Sequence, residues 1–125
     1  MSAEAEIRTL ITNWVDAVAA QDLDAVVARH ADDVVMFDVP PPYDGIRGIT
    51  DYRDSWQPFF DFIRSGAVFE LVELTVDAGS DVAFAHGLLR CGTAKEFETN
   101  PANRLRLTMG LRRVGGQWVI AHEHH

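Results

Sequence analysis

Apolar positions follow a helical rhythm in the first half of the chain and a β rhythm in the second. Ile7, Leu10, Ile11, Trp14, Val15 and Val18 fall at i, i+3, i+4, i+7, i+8 and i+11, so one stripe predicts an amphipathic helix. Ser2 is placed to cap it, and Glu4 and Glu6 suit the positive end of its dipole. Asp22 caps a second, shorter helix in which Leu23, Val26, Val27 and His30 repeat the pattern, and the two helices form a hairpin. Val34-Val35-Met36-Phe37-Asp38-Val39 reads as a strand because β-branched and aromatic residues dominate it. Pro40-Pro41-Pro42 ends it, since three successive residues lack an amide donor, and Tyr43-Asp44-Gly45 turns the chain. Thr50 caps a third helix carrying Tyr52, Trp56, Phe59, Phe60 and Ile63. Pro58 inside that pattern predicts a kink, or two short helices in series.

From Ala67 onward four β segments are predicted, at about 67–77, 81–93, 104–113 and 117–124. Asp77-Ala78-Gly79-Ser80 and Gly115-Gly116 are turns, the latter a hairpin signal. Lys95 to Asn103 is polar, contains Pro101, and reads as a longer loop. Helix, helix, strand, helix and then a meander predicts an α+β fold in one domain spanning 1–125, with the sheet wrapped over the helices. A curved sheet closed on one side by helices leaves a conical cavity, a common kind of ligand site.

Composition narrows the functional classes. The 125 residues are 47% hydrophobic and 24% charged, enough to build a core without a disulfide or a structural metal. Eleven basic against nineteen acidic residues give a net charge of −8, which opposes a phosphate backbone and argues against a nucleic-acid partner. Cys91 is the single cysteine, as fits a reducing compartment. Glu4, Glu6 and Asp16 interrupt the first twenty residues, so no secretory leader is read there, and a cytoplasmic location is expected. No apolar run approaches eighteen residues, so no membrane span is expected.

Three motifs and the closing segment, in this order and spacing, carry a family resemblance. They are Ala20-Gln21-Asp22-Leu23-Asp24-Ala25, His30-Ala31-Asp32-Asp33-Val34-Val35, Tyr43-Asp44-Gly45-Ile46-Arg47-Gly48, and the run from Gly115-Gly116-Gln117-Trp118 to His124-His125. The chain resembles the nuclear transport factor 2-like superfamily, more narrowly its SnoaL-like (polyketide cyclase-like) members, beside a ketosteroid isomerase-like branch. The resemblance implies a cone-shaped, curved antiparallel sheet around N-terminal helices, a cystatin-like roll, usually as a homodimer packed through its sheet. It implies no single reaction, because one pocket serves isomerases, cyclases, hydratases, epoxide hydrolases and non-catalytic binders.

Asp38 is the sharpest candidate for chemistry. Strand alternation groups it with Val34 and Met36, and a carboxylate ending an apolar strand beside a cavity is expected to have a raised pKa, as suits a general base. By the resemblance it falls where ketosteroid isomerases carry their proton-shuttling aspartate. Trp14 falls where they carry an oxyanion-stabilising tyrosine, and an indole N–H is a poorer electrophile. No second acid is recognised in the last strands, where Arg106, Thr108 and Arg112 stand, so steroid isomerisation is not the leading reading. His86 and Arg90 share a face with Phe84 and Leu88, and by the resemblance that face points into the cone. His86 is then the acid or base partner of Asp38, and Arg90 either contacts an anionic ligand or bridges to Asp38 or Glu123. Tyr43, Trp56, Phe59 and Phe60 are expected as lid and wall.

His122 and His124 share a strand face, which makes His122 a ligand contact. With His86 they suggest a three-histidine metal set, a weak signal, and a bulge would put Glu123 on the pocket side instead. No metal or cofactor is expected.

The reading is a domain that binds a small hydrophobic molecule, a carbonyl compound for instance, with isomerase, cyclase or hydratase acid–base chemistry centred on Asp38. The alternative is a non-catalytic binding or dimerisation module. Simple alternation along 68–76 leaves apolar residues on both sides of that strand, so one face needs cover. A homodimer is therefore predicted, and sedimentation as a monomer at micromolar concentration would refute it.

Overall fold

Apolar residues on both sides of one strand have a local cause in the computed structural model, which describes residues 2–125. The third strand, β3 (Val68–Ala78), carries a bulge at Val72: Leu71 pairs with Leu89 and Glu73 with Leu88, so one extra residue enters the strand. Phe69 and Leu71 point inward before the bulge and Leu74 and Val76 after it, while Val72 and Glu73 both face out. The inner face is thus continuously apolar, and simple alternation misassigned it.

The helices follow their sequence signals. Helix α1 (Ala3–Ala19) starts where Ser2 Oγ accepts from the Ala5 amide, and α2 (Leu23–Val27) where Asp22 accepts from Ala25. The α2 pattern stops at Val27, and His30 instead opens β1 (His30–Phe37). The cause is long-range: the Ile120 amide donates to Arg29 O, and His30 is drawn into a parallel pairing with β6 (Gln117–His124). A two-residue strand, β2 (Ile46–Arg47), pairs with β1. The third helical pattern splits into α3 (Ile49–Asp54) and α4 (Gln57–Arg64), with Pro58 in the first turn of α4, where its missing amide costs nothing. Gly48, not Thr50, occupies the α3 cap position. The expected loop after 94 contains a helix, α5 (Ala94–Thr99), held by a Thr93–Glu96 capping box that composition alone obscured.

Strands β4 (Val82–Gly92) and β5 (Leu105–Val114) complete a curved, unclosed six-stranded sheet in the order β2-β1-β6-β5-β4-β3. All neighbours are antiparallel except β1 and β6. The α1 stripe packs against the inner face at β3, and Ile7, Ile11 and Val18 are fully buried in one core with strand residues such as Leu89, Met109 and Ile120. Each such side chain stabilises the fold by roughly 1.5–3 kcal/mol. None of the described helices is long and apolar enough to cross a membrane.

Gly87 is what lets β4 close on the β3 bulge. It pairs with Leu74, and a Cβ there would lie 2.7 Å from the Glu73 carbonyl oxygen. Gly87→Ala is therefore expected to destabilise the protein by about 1–3 kcal/mol through overpacking against backbone. An unchanged denaturation midpoint would show that the bulge yields freely.

Candidate functional site

A second bulge determines which side chains reach the interior at the end of the chain. Gly110 pairs with His122 but Leu111 with Ile120, so Ala121 is the extra residue in β6. Trp118 and Ile120 point inward before it. After it the parity changes, and Glu123 and His125 point inward while His122 and His124 do not. The His125 amide donates to Phe37 O at 3.0 Å, which seats its ring beside the end of β1.

There the strand ends and α4 enclose a cavity of about 270 Å³, with Met36, Asp38, Trp56, Phe59, Phe69 and His125 in its wall. An adjoining depression of about 490 Å³ shares Met36, Asp38 and Phe59 and is bounded outside by the proline run, so the entrance is apolar and stiff. Asp38 Oδ2 lies 3.8 Å from His125 Nδ1, and Asp38 Oδ1 accepts from the Val39 amide at 2.8 Å. Its side chain is about one-third exposed (34%), whereas that of His125 is 7% exposed.

Behind the cavity wall sits a completely buried carboxylate. Glu123 accepts from His125 Nε2 at 3.0 Å, from Tyr52 Oη at 2.5 Å, and from His30 Nε2 in a short contact. Tyr52 Oη in turn accepts from Trp14 Nε1 at 3.2 Å. Burial by itself would push the Glu123 carboxyl up, but hydrogen bonds from His125 and His30, together with their charge, hold it at about 2. Burial likewise works against a charged His125, yet Asp38 and Glu123 raise it to about 9. Burial and the neighbouring carboxylate push the Tyr52 phenol well above its ordinary range, so it remains a donor. Asp38 departs from expectation. Burial raises it, but the His125 ring and the Val39 amide outweigh burial and hold it below the ordinary aspartate value. The wall at neutral pH is a carboxylate facing an imidazolium.

The predicted site residues are distributed unevenly. Asp38 and Trp56 line the cavity, and Phe60 stacks behind Trp56 with ring centroids 6.0 Å apart. Trp14 is buried, and its N–H is committed to Tyr52 rather than to the cavity. Tyr43 is 85% exposed on the loop after the prolines and is not part of the wall. The face of β4 that carries His86 and Arg90 points outward, because Ala85, Gly87 and Leu89 take the inner side. His86 is exposed and forms no pair with Asp38. Arg90 pairs with Glu70 at 3.7 Å and lies over the Phe97 ring, not against Asp38 or Glu123. His122 donates from Nδ1 to Val35 O at 2.7 Å and packs edge-on against Phe37, outside the cavity. Among the described residues no cluster of three or more His, Cys, Asp or Glu side chains could hold a metal ion. Cys91, also in the wall, is pushed to about 11 by burial and then by Glu96 and Asp38, so it stays a thiol.

Sequence reasoning missed His30 as a site residue because a helical period claimed it, and Tyr52 because it read as core. Glu123 was read only as a bridge partner of Arg90 or as the consequence of a bulge, and His125 was not read as a site residue. The available signal was chemical: three histidines and a glutamate in four positions at the end of an apolar strand.

Family comparison agrees with this architecture. The SnoaL-like domain model matches residues 7–125. The chain belongs to the SnoaL-like family. A nuclear transport factor 2-like protein of unknown function from Pseudomonas putida is 40% identical, with a TM-score of 0.83, over 98% of this chain and 84% of that one. A nuclear transport factor 2-like protein with a cystatin-like fold from Novosphingobium aromaticivorans is 17% identical, with a TM-score of 0.73, over 96% and 78%. A protein described as a putative ketosteroid isomerase from Parabacteroides distasonis is 20% identical, with a TM-score of 0.71, over 98% and 86%. The latter two show the fold alone. Comparison with curated proteins gives no match.

In this SnoaL-like domain the buried network links stability to pH with definite signs. Glu123 falls from an ordinary 4.5 to about 2, so its contribution is complete above 4.5 and is lost as pH drops towards 2. His125 rises from 6.5 to about 9, so its contribution is complete below 6.5 and is lost as pH climbs towards 9. The network therefore stabilises the domain most between pH 4.5 and 6.5. Glu123→Gln should lower stability in that window by roughly 3–5 kcal/mol and flatten both limbs of the melting-temperature profile. An unaltered profile in the variant would remove Glu123 from this role.

Proposed function

We propose that the SnoaL-like domain binds a compact, largely apolar carbonyl compound and moves a proton on it through Asp38. The observation that carries this reading is a carboxylate and an imidazolium 3.8 Å apart on a wall that is otherwise mostly apolar. That spacing exceeds a hydrogen bond and leaves room for a ligand oxygen to approach His125 Nδ1–H. His125 then donates to the carbonyl oxygen, Asp38 takes the α-proton, and the resulting enolate recovers a proton from the Asp38 carboxylic acid. His125 replaces both the expected His86 and the missing tyrosine. The depressed Asp38 pKa weakens it as a base but keeps it ionised, and the charged donor opposite offsets that weakness. A volume near 270 Å³ favours a small ligand.

The same proposal includes a cytoplasmic homodimer. A lone cysteine suits that compartment, and the outer sheet face exposes Val72 and Phe84 at about half their area. A non-catalytic binding role is favoured by one contact, the Val39 amide on Asp38.

Asp38→Asn separates the two readings. With cyclohexanone in deuterated water, the native protein is expected to catalyse α-deuteration followed by proton NMR. Asp38→Asn should abolish it while changing stability by no more than about 1 kcal/mol. Saturable binding without exchange, or a large fall in melting temperature for the Asn variant, would instead favour the binding module.

A further inference from the structure

The cavity does not end at its own wall. Met36, Asp38, Pro40, Ser55 and Phe59 border both it and the adjoining depression, so the two spaces meet along a seam rather than at a point. His125 stands on the cavity side only, and Ile46, Pro58 and Phe62 on the depression side only. A ligand anchored at His125 therefore has room to continue past Asp38, into a slot between the proline run and α4.

The chemistry of that slot is one-sided. Pro40, Pro41, Pro42 and Pro58 make up much of its lining, and proline offers no N–H. The Ser55 hydroxyl donates to the Tyr52 carbonyl at 2.7 Å, so its proton is committed. Among the described residues no Lys or Arg lines either space, and the one charged group bordering the slot is the Asp38 carboxylate. An anionic tail would meet repulsion and no cation, and a polar tail would meet no free side-chain donor. An apolar tail leaves water for Ile46, Phe59 and Phe62. Proline also fixes the backbone of the wall, so filling the slot costs little ordering.

We propose that the depression is the tail compartment of the same site, and that the ligand is a neutral, elongated ketone. Its compact carbonyl head sits beside His125 and Asp38, and its apolar tail lies in the slot. The inference rests on the carbonyl-binding reading of the cavity and adds the ligand class. The 270 Å³ cavity then limits the head alone.

Three probes separate the terms. 4-Propylcyclohexanone carries such a tail opposite its carbonyl, cyclohexanone lacks it, and 3-(4-oxocyclohexyl)propanoate ends a tail of the same length in a carboxylate. Each is titrated calorimetrically into the whole protein at neutral pH. A methylene taken from water strengthens binding by about fourfold, so the propyl ketone should bind at least about tenfold tighter than cyclohexanone. The carboxylate should bind no tighter than cyclohexanone. Phe62→Ala removes slot wall that the cavity does not share, and should cut the propyl preference to about threefold or less. Ile46→Ala serves the same purpose if that variant fails to fold. Equal binding of the propyl and parent ketones, a carboxylate as tight as the propyl ketone, or a preference that survives these substitutions would overturn the proposal. Binding is read without turnover, so the two readings fail separately. A tail preference without α-deuteration supports the slot and counts against Asp38 as a base. α-Deuteration of cyclohexanone with no tail preference does the reverse, and no binding of any probe overturns both.

Discussion

The structure depends on a single buried carboxylate. Taking Glu123 out of water costs several kcal/mol even after relaxation, and it is tolerated only because three donors meet it. Those donors come from separate parts of the chain: His30 opens β1, Tyr52 lies in α3, and His125 follows β6. Trp14 extends the network to α1 through the Tyr52 hydroxyl. One charge therefore fixes the relative placement of two helices and two strands. An apolar residue there would fill space but would not select these partners. A buried ion so satisfied favours one arrangement over others, which is a different contribution from that of the surrounding Leu, Ile and Met side chains.

The same charge shapes the cavity at one remove. Glu123 favours the protonated form of His125, and the imidazolium favours the ionised form of Asp38. The wall thus presents a fixed carboxylate and a fixed donor before any ligand arrives. In the proposed reaction, preorganised charges of this kind would not need to be oriented, which would let a weak base serve in proton transfer. The arrangement also explains why Cys91 carries no chemistry: a thiol close to carboxylates and shielded from water is held neutral.

Much of this fold is legible from local pattern. The α1 stripe, the Ser2 and Asp22 caps, the break at Pro58 and the Gly115-Gly116 hairpin turn all arise from interactions within a few residues, and the structure has each of them. Asp38 and Trp56 at the cavity were legible for the same reason, one by strand parity and the other by helical spacing. What was not legible depends on partners distant in sequence. His30 continues a helical period, yet the pairing of β1 with β6, some ninety positions away, draws it into a strand. His86 and Arg90 were assigned to the wrong side because alternation gives two faces and does not say which is inner. The α5 helix was hidden by polar composition, although its capping box stands in the sequence at Thr93 and Glu96.

The two bulges show why a parity argument needs the neighbouring strand. On either side of Ala121 the alternation holds, but the extra residue reverses it for everything that follows. In an unbulged β6, His122 and His124 would face the interior and Glu123 the solvent. The core would then hold imidazoles with no carboxylate between them, Tyr52 would lose its acceptor, and Asp38 would have no His125 opposite. The β3 bulge works on the other constituent of the sheet: it sends Leu74 and Val76 inward after Phe69 and Leu71, so the inner face stays apolar around that network. A single added residue in each strand therefore sorts the charged network and the apolar surface around it onto the same inner face of a continuous sheet. In β6 that sorting is also what sets His125 opposite Asp38, so the geometry of the fold and the charge pattern of the cavity share one cause.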